Sequence, residues 1–325
     1  MIETFQRTLP GGVTLGCRAT GAPGRPLMLF LHGFPEAAFV WDELMTHFAQ
    51  PAHGGYRCVA PNLRGFGPSS APTDVAAYRA HLMVRDLEEL VDTERADGQV
   101  AVLVAHDWGG AFGWGFANAF PHRLGRLVIL NSPHAGTFAR ELRDNPAQRA
   151  ASAYMHFLAR PDAEALLAED DYRRMWGFFT SMGAGADGHG WLTEAVRARY
   201  REVWDAGLTG GCNLYRVTPL KPPVAGADAA GAAPGLPEIP RERLVVDVPT
   251  LVIWALDDTA LLPGLLDGLE AYVPRLEVVR VPGATHWIVH EQPARVAREI
   301  GDFLHRAAPA PPRLNRPAAR PRGAS

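Results

Sequence analysis

Six short segments of the chain are almost continuously apolar: 26–33 (PLMLFLHG), 56–62 (YRCVAPN), 100–107 (VAVLVAHD), 126–133 (RLVILNSP), 250–258 (TLVIWALDD) and 276–283 (LEVVRVPG). Such runs, with little polar alternation, suit strands of a parallel sheet covered on both faces. Between them the pattern predicts helices near 36–49, 78–95, 109–119, 264–272 and 293–306. Strands that alternate with helices predict an α/β, doubly wound, mostly parallel sheet. The opening FQRTLPGGVTLGCRATG predicts a short β-hairpin leading into that sheet.

The alternation stops near residue 134 and resumes near 248. The stretch between them is mostly helical in pattern, with YMHFLA, EALLAEDDYRRMWGFF and TEAVRARYREVWDAG as the expected helices. An insertion of this kind predicts a lid, 134–247, set into a core made of 1–133 and 248–306. The lid ends in PPVAGADAAGAAPGLPEIP (222–240), whose five prolines and three glycines predict a linker. The Pro/Arg-rich segment 307–325 is expected to be disordered.

Composition narrows the class. With 325 residues and 47% apolar content the chain can bury a full core. A net charge of −3, with no basic stripe, argues against nucleic acid as a partner. No apolar run reaches the roughly 18 residues of a membrane span. MIETFQRTLPGG has neither the basic nor the apolar region of a signal peptide, so a cytoplasmic location is the expectation. Cys17, Cys58 and Cys212 are too few and too far apart for a disulfide framework or a zinc cluster. No metal or cofactor is expected.

Candidate chemistry starts at A-H-D-W-G-G, residues 105–110, between a predicted strand and a predicted helix. Small residues around one polar position suit a sharp strand-to-helix turn that lifts the apex side chain above the sheet. The apex is Asp107, near a helix N-terminus that favours an anion. An ionised carboxylate needs no base to act as a nucleophile at carbon. Alternatively, Asp107 only caps the helix. Three other strand ends favour the first reading. L-H-G-F-P-E (31–36) offers the N–H of Phe34 which, with that of Trp108, suits an oxyanion hole. G-A-T-H-W (283–287) places His286 where a general base is useful. W-A-L-D-D-T (254–259) offers Asp258, or failing that Asp257, to orient the imidazole. NSPHAG, after the fourth strand, offers Asn131 and no nearby carboxylate.

These residues resemble the α/β-hydrolase-fold epoxide hydrolases and, more loosely, haloalkane and haloacetate dehalogenases. The likeness runs over about 3–306 and rests on H-G-F-P-E, R-G-F-G-P-S-S (64–70), H-D-W-G-G, L-D-D-T and T-H-W. It implies that Asp107 opens an epoxide to an ester, which water activated by His286, with Asp258 behind it, then hydrolyses. It also implies a cis Phe34–Pro35 bond. N-L-Y-R (213–216) and S-A-Y-M-H-F-L-A-R-P (152–161) resemble the family's two lid-tyrosine segments, which makes Tyr215 and Tyr154 proton donors to the opening ring. His32, Pro35 and Trp287 are expected to line the substrate pocket.

The resemblance implies a small, neutral, largely apolar epoxide and water as the reactants. Haloacetate dehalogenases carry an arginine just after the nucleophile, whereas residues 108–112 here are uncharged. A haloalkane dehalogenase is the alternative, with Trp176, Trp191 or Trp204 as a second halide donor. A silent ligand-binding protein is the alternative from another class. A serine-type esterase is excluded, because a carboxylate attacking an ester gives an anhydride. One departure from the family is Asn62, where an aspartate is usual. That position is expected to bear on stability.

Overall fold

A computed structural model describes residues 1–185, 190–223 and 236–306. Most of the expected linker and the whole expected disordered tail lie outside the described residues. Eight strands form one sheet: β1 (Glu3–Thr8), β2 (Thr14–Thr20), β3 (Leu27–Leu31), β4 (Arg57–Pro61), β5 (Val100–His106), β6 (Leu124–Leu130), β7 (Thr250–Ala255) and β8 (Leu276–Val281). Their spatial order is β1-β2-β4-β3-β5-β6-β7-β8. β1 and β2 form the expected hairpin, and β2 meets β4 antiparallel. All later pairs are parallel. β3, β4 and β7 are buried at every residue, as their unbroken apolar runs require. β8, at the sheet edge, is mostly half-buried despite its similar sequence.

The helices are α1 (Asp42–Phe48), α2 (Ala80–Glu94), α3 (Asp107–Ala119), α4 (Ala135–Asp144), α5 (Pro146–Ala151), α6 (Tyr154–Leu158), α7 (Ala163–Ser181), α8 (Glu194–Asp205), α9 (Thr209–Val217), α10 (Ile288–Glu291) and α11 (Pro293–His305). From α4 to α9 they fall between β6 and β7. The expected helix at 264–272 is instead two 3-10 turns, Pro263–Leu266 and Leu269–Ala271. Gly268 takes φ 71 between them, a left-handed conformation that stops a helix. The expected continuous lid helix is also interrupted: Asp170, Asp171 and Tyr172 within α7 all have positive φ. Among the described residues no helix is long and apolar enough to cross a membrane.

Candidate active site

β5 delivers the chain to Asp107, which has φ 48. A non-glycine residue held there costs about 1–3 kcal/mol, so its surroundings must impose it. Ser132 Oγ donates to the Asp107 carbonyl at 2.6 Å. The neighbours are small because nothing larger fits. A Cβ on Gly33 would stand 2.3 Å from the Asp107 Cβ, one on Gly109 2.4 Å from the Leu31 carbonyl oxygen, and one on Gly110 2.3 Å from the Ser132 Cβ. The helix cap position is His106, not Asp107, and no side chain caps it. The Asp107 carboxylate is engaged elsewhere: the Phe34 N–H donates to its Oδ1 at 2.8 Å. Trp108, next in the first turn of α3, has an N–H that helix geometry leaves without an intrahelical partner. Phe34–Pro35 is cis.

The loops after β7 and β8 bring Asp258 and His286 to the same point. His286 Nδ1 lies 2.7 Å from Asp258 Oδ2, and His286 Nε2 lies 3.9 Å from Asp107 Oδ2. The exposed Asp257 takes no part in that pairing. Burial alone would lower the His286 pKa. The charge and hydrogen bond of Asp258, then the charges of Asp107 and Glu36, outweigh it and raise the pKa to about 9. Burial likewise disfavours ionised Asp258. The charge and hydrogen bond of His286, with the N–H groups of Leu261 and Ala260, reverse this and hold its pKa below the usual value.

Over Asp107 sit Tyr154 from α6 and Tyr215 from α9, their rings 6.0 Å apart. Burial, then neighbouring groups including ionised Asp107, pushes both phenols up, so both stay protonated at neutral pH. Pro35 and Trp287 line the same cavity, together with Leu158, Phe178 and Met182 from the segment between β6 and β7. The space left for water-sized contents is only about 10 Å³, roughly one water molecule.

His32 does not line this cavity, contrary to expectation. It is wholly buried behind the turn, with Nδ1 2.8 Å from the Gly33 carbonyl and Nε2 accepting from the Leu63 N–H at 3.0 Å. Burial, partly offset by the bond to Gly33, lowers its pKa to about 4, so it is a neutral strut. Asn62 is buried and accepts from the Ala38 N–H at 2.8 Å.

Two residues at the site had no role in the sequence reading. Asn131, at φ 33 just after β6, donates to Asp258 Oδ2 at 2.7 Å and bonds both backbone groups of Ala255. Glu36 is buried under the site, 3.0 Å from His106 Nδ1, 3.2 Å from His290 Nε2 and 3.3 Å from the Tyr200 hydroxyl. The His106 ring lies 4.6 Å from that of His286. The signal for Glu36 was its place beside the Gly-Phe-Pro turn, and for Asn131 its place at a strand end. Both contacts join residues far apart in sequence. A larger cleft, about 620 Å³, opens away from Asp107 between Gly11, Arg64 and Arg85, but its arginines are paired with Asp86 and Glu89. Among the described residues no cluster of three potential metal ligands occurs.

The profile of a family described as having the alpha/beta hydrolase fold matches residues 26–293. Epoxide hydrolase 3 of Xenopus tropicalis is 31% identical over 308 residues, which are 92% of this chain and 77% of that protein. AB hydrolase superfamily protein YfhM of Bacillus subtilis is 31% identical over 296 residues, 90% of this chain and 95% of that one. A solved structure from work on novel epoxide hydrolases in metagenomes from hot environments superposes with a TM-score of 0.80 at 35% identity, covering 94% of this chain and 99% of that one. The epoxide hydrolase of Bacillus megaterium in complex with an inhibitor gives a TM-score of 0.80 at 29% identity, covering 93% and 100%.

Proposed function

We propose, from the premise that this chain belongs to the α/β hydrolase fold family and groups there with epoxide hydrolases, that it converts a small neutral epoxide to a vicinal diol through an ester on Asp107. Asp107 Oδ2, the oxygen not held by Phe34, attacks a ring carbon. The ring C–O bond breaks, and the alkoxide takes a proton from Tyr154 or Tyr215. Water then adds to the ester carbonyl while His286 Nε2 takes its proton. Negative charge gathers on Oδ1, which already accepts from the Phe34 N–H, with the Trp108 N–H as second donor. Each such donor is worth about 3–4 kcal/mol. The Cγ–Oδ2 bond breaks and the diol leaves with the proton from His286. The second water proton restores the tyrosine, and the oxygen of water stays in Asp107.

The order of steps agrees with the electrostatics. In the resting site two anions, Asp258 and Asp107, favour the His286 imidazolium. Esterification removes the charge of Asp107 and lowers the His286 pKa, so the imidazolium releases its proton to solvent before taking one from water, and regains one from solvent once Asp107 is free again.

The observation that carries this reading is the grouping around one carboxylate, in one cavity, of a histidine paired with an aspartate and of two protonated tyrosines. A halide-leaving reaction has less support. The indole N–H groups of Trp176 and Trp204 donate to the carbonyls of Asp171 and Pro35, both at 2.8 Å. Trp191 stacks on His290 and does not line the cavity.

The test is trapping. His286→Ala treated with styrene oxide should gain the mass of the whole epoxide on Asp107 and keep it. No adduct from any epoxide, together with halide release by the wild type from bromoalkanes, would reverse the assignment. Tyr154→Phe combined with Tyr215→Phe should abolish epoxide opening while sparing any activity on haloalkanes.

A further inference from the structure

The R-G-F-G-P-S-S segment has no part in the reaction above, yet it is fixed firmly. Arg64 pairs with Asp86 through bonds of 2.8 and 2.5 Å and donates to the Ala77 carbonyl at 2.7 Å. Ser69 Oγ donates to the Asn62 carbonyl at 2.6 Å. On this base the loop presents glycines to the lid. Gly65 has φ 92, and a Cβ there would lie 2.6 Å from the Gly210 Cα. A Cβ on Gly210 would lie 2.1 Å from the Gly65 Cα. One on Gly67 would lie 2.4 Å from the Ala206 Cβ, and one on Gly211 would lie 2.8 Å from the Phe34 ring. Core and lid therefore touch backbone to backbone, at the first turn of α9. Two adjacent glycines in a nine-residue helix are unfavourable by propensity, about 1 kcal/mol each relative to alanine. Close approach to the core explains them.

We infer that the 64–70 loop and the Gly210–Gly211 pair form a joint that sets the height of Tyr215 above Asp107, which makes these glycines positioning residues for ring opening. The inference rests on the role proposed above for Tyr215. Tyr215 follows Gly210 by five residues on the same short helix, about 7 Å along its axis. The far end of α9 is tied to the lid: Arg216 bonds Glu164 at 2.5 and 2.6 Å and the Arg160 carbonyl at 2.5 Å. A side chain forced in at Gly210 therefore tilts α9 about that tie and moves the Tyr215 hydroxyl. Misplacing a reacting group by about 1 Å costs on the order of a hundredfold in rate.

The experiment compares the two half-reactions in the full chain, by quenching a single turnover and measuring the ester on Asp107 by intact mass. Gly210→Ala should slow ester formation at least tenfold. Ester hydrolysis, whose water is activated by His286 and which only returns a proton to the tyrosine, should stay within threefold. Gly210→Ala joined to Tyr215→Phe should lose no more than Tyr215→Phe alone, because both act on one proton transfer. Gly177→Ala, whose Cβ meets nothing within 4 Å, should leave both steps unchanged. If Gly210→Ala does not fold, Gly211→Ala makes a softer displacement, since the Phe34 ring can turn, and should slow ester formation threefold or more. Wild-type ester formation in a folded Gly210→Ala or Gly211→Ala protein, equal loss in both steps, or losses that multiply in the double variant would overturn the inference. Absence of any ester in the wild type would instead strike the epoxide reading on which it rests.

Discussion

Three carboxylates, Asp258, Asp107 and Glu36, act on the single imidazole of His286 and hold its pKa near 9 against burial. Removing one of these charges must lower it. Asp107→Asn, which mimics the uncharged ester, should therefore shift the imidazole titration seen by NMR from about 9 towards neutrality. An unchanged titration would contradict the link between ester formation and the freeing of the base. For the same reason ester hydrolysis should lose rate in acid below a midpoint lower than 9, since only neutral imidazole accepts the proton of water. Asn131 acts one step behind. Its amide holds Asp258 Oδ2, the oxygen that also meets His286. Asn131→Ala leaves a buried carboxylate short of a donor, at about 1–3 kcal/mol. The ester-hydrolysis rate should fall about tenfold or more, with ester formation less affected. Asn131 was hard to find because it is not a carboxylate. Its value lies in a contact with a residue 127 positions away.

At the scale of elements, α7 decides how much room the substrate has. Beyond its left-handed break at Asp170–Tyr172 it carries Phe178 and Met182 into the cavity above Asp107. The break is braced by Arg201, which bonds both Asp171 oxygens, and by the Tyr172 hydroxyl on Asp205. Phe178 and Met182 narrow the cavity beside Asp107, so they set the size of the substrate it takes. Phe178→Ala should raise kcat/KM for aryl epoxides about tenfold relative to small aliphatic ones, a difference measurable by competition between substrates. Equal effects on both would place the size limit elsewhere. The break was not legible in EALLAEDDYRRMWGFF, which has no proline and whose one glycine, Gly177, lies five residues beyond it. Arg201 and Asp205 on a different helix brace it, beside contacts within α7 from Trp176 Nε1 to the Asp171 carbonyl and from Arg173 to Asp170. The helix expected at 264–272 failed for a local reason, Asp267–Gly268, that composition alone did not weigh enough.

At the scale of the molecule, the sheet and the helices inserted between β6 and β7 share one continuous apolar cluster, from Phe30 of β3 and Trp41 before α1 to Phe179 of α7 and Trp204 of α8. A polar tie runs beside it. Tyr200 of α8 is fully buried, and its hydroxyl lies 2.7 Å from His290 Nε2 and 3.3 Å from Glu36. Urea unfolding followed by tryptophan fluorescence and by far-ultraviolet circular dichroism should give one coincident transition. Tyr200→Phe should destabilise it by about 1–3 kcal/mol. A separate early transition of α4–α9 would refute the idea of one cooperative unit. The strand runs, the insertion between β6 and β7, and the turn at Asp107 could be read from the sequence because local rules govern them: apolar period, small residues at a tight turn, polar residues at strand ends. The tertiary structure decided what depends on distance between remote segments. It paired His286 with buried Asp258 and left Asp257 exposed. It moved His32 from the pocket to a strut, set Glu36 and Asn131 around the His286–Asp258 pair, and narrowed the cavity with Phe178 and Met182. Hydrogen bonds and excluded volume act over a few ångströms in space, and no spacing along a chain encodes which remote residues will share them.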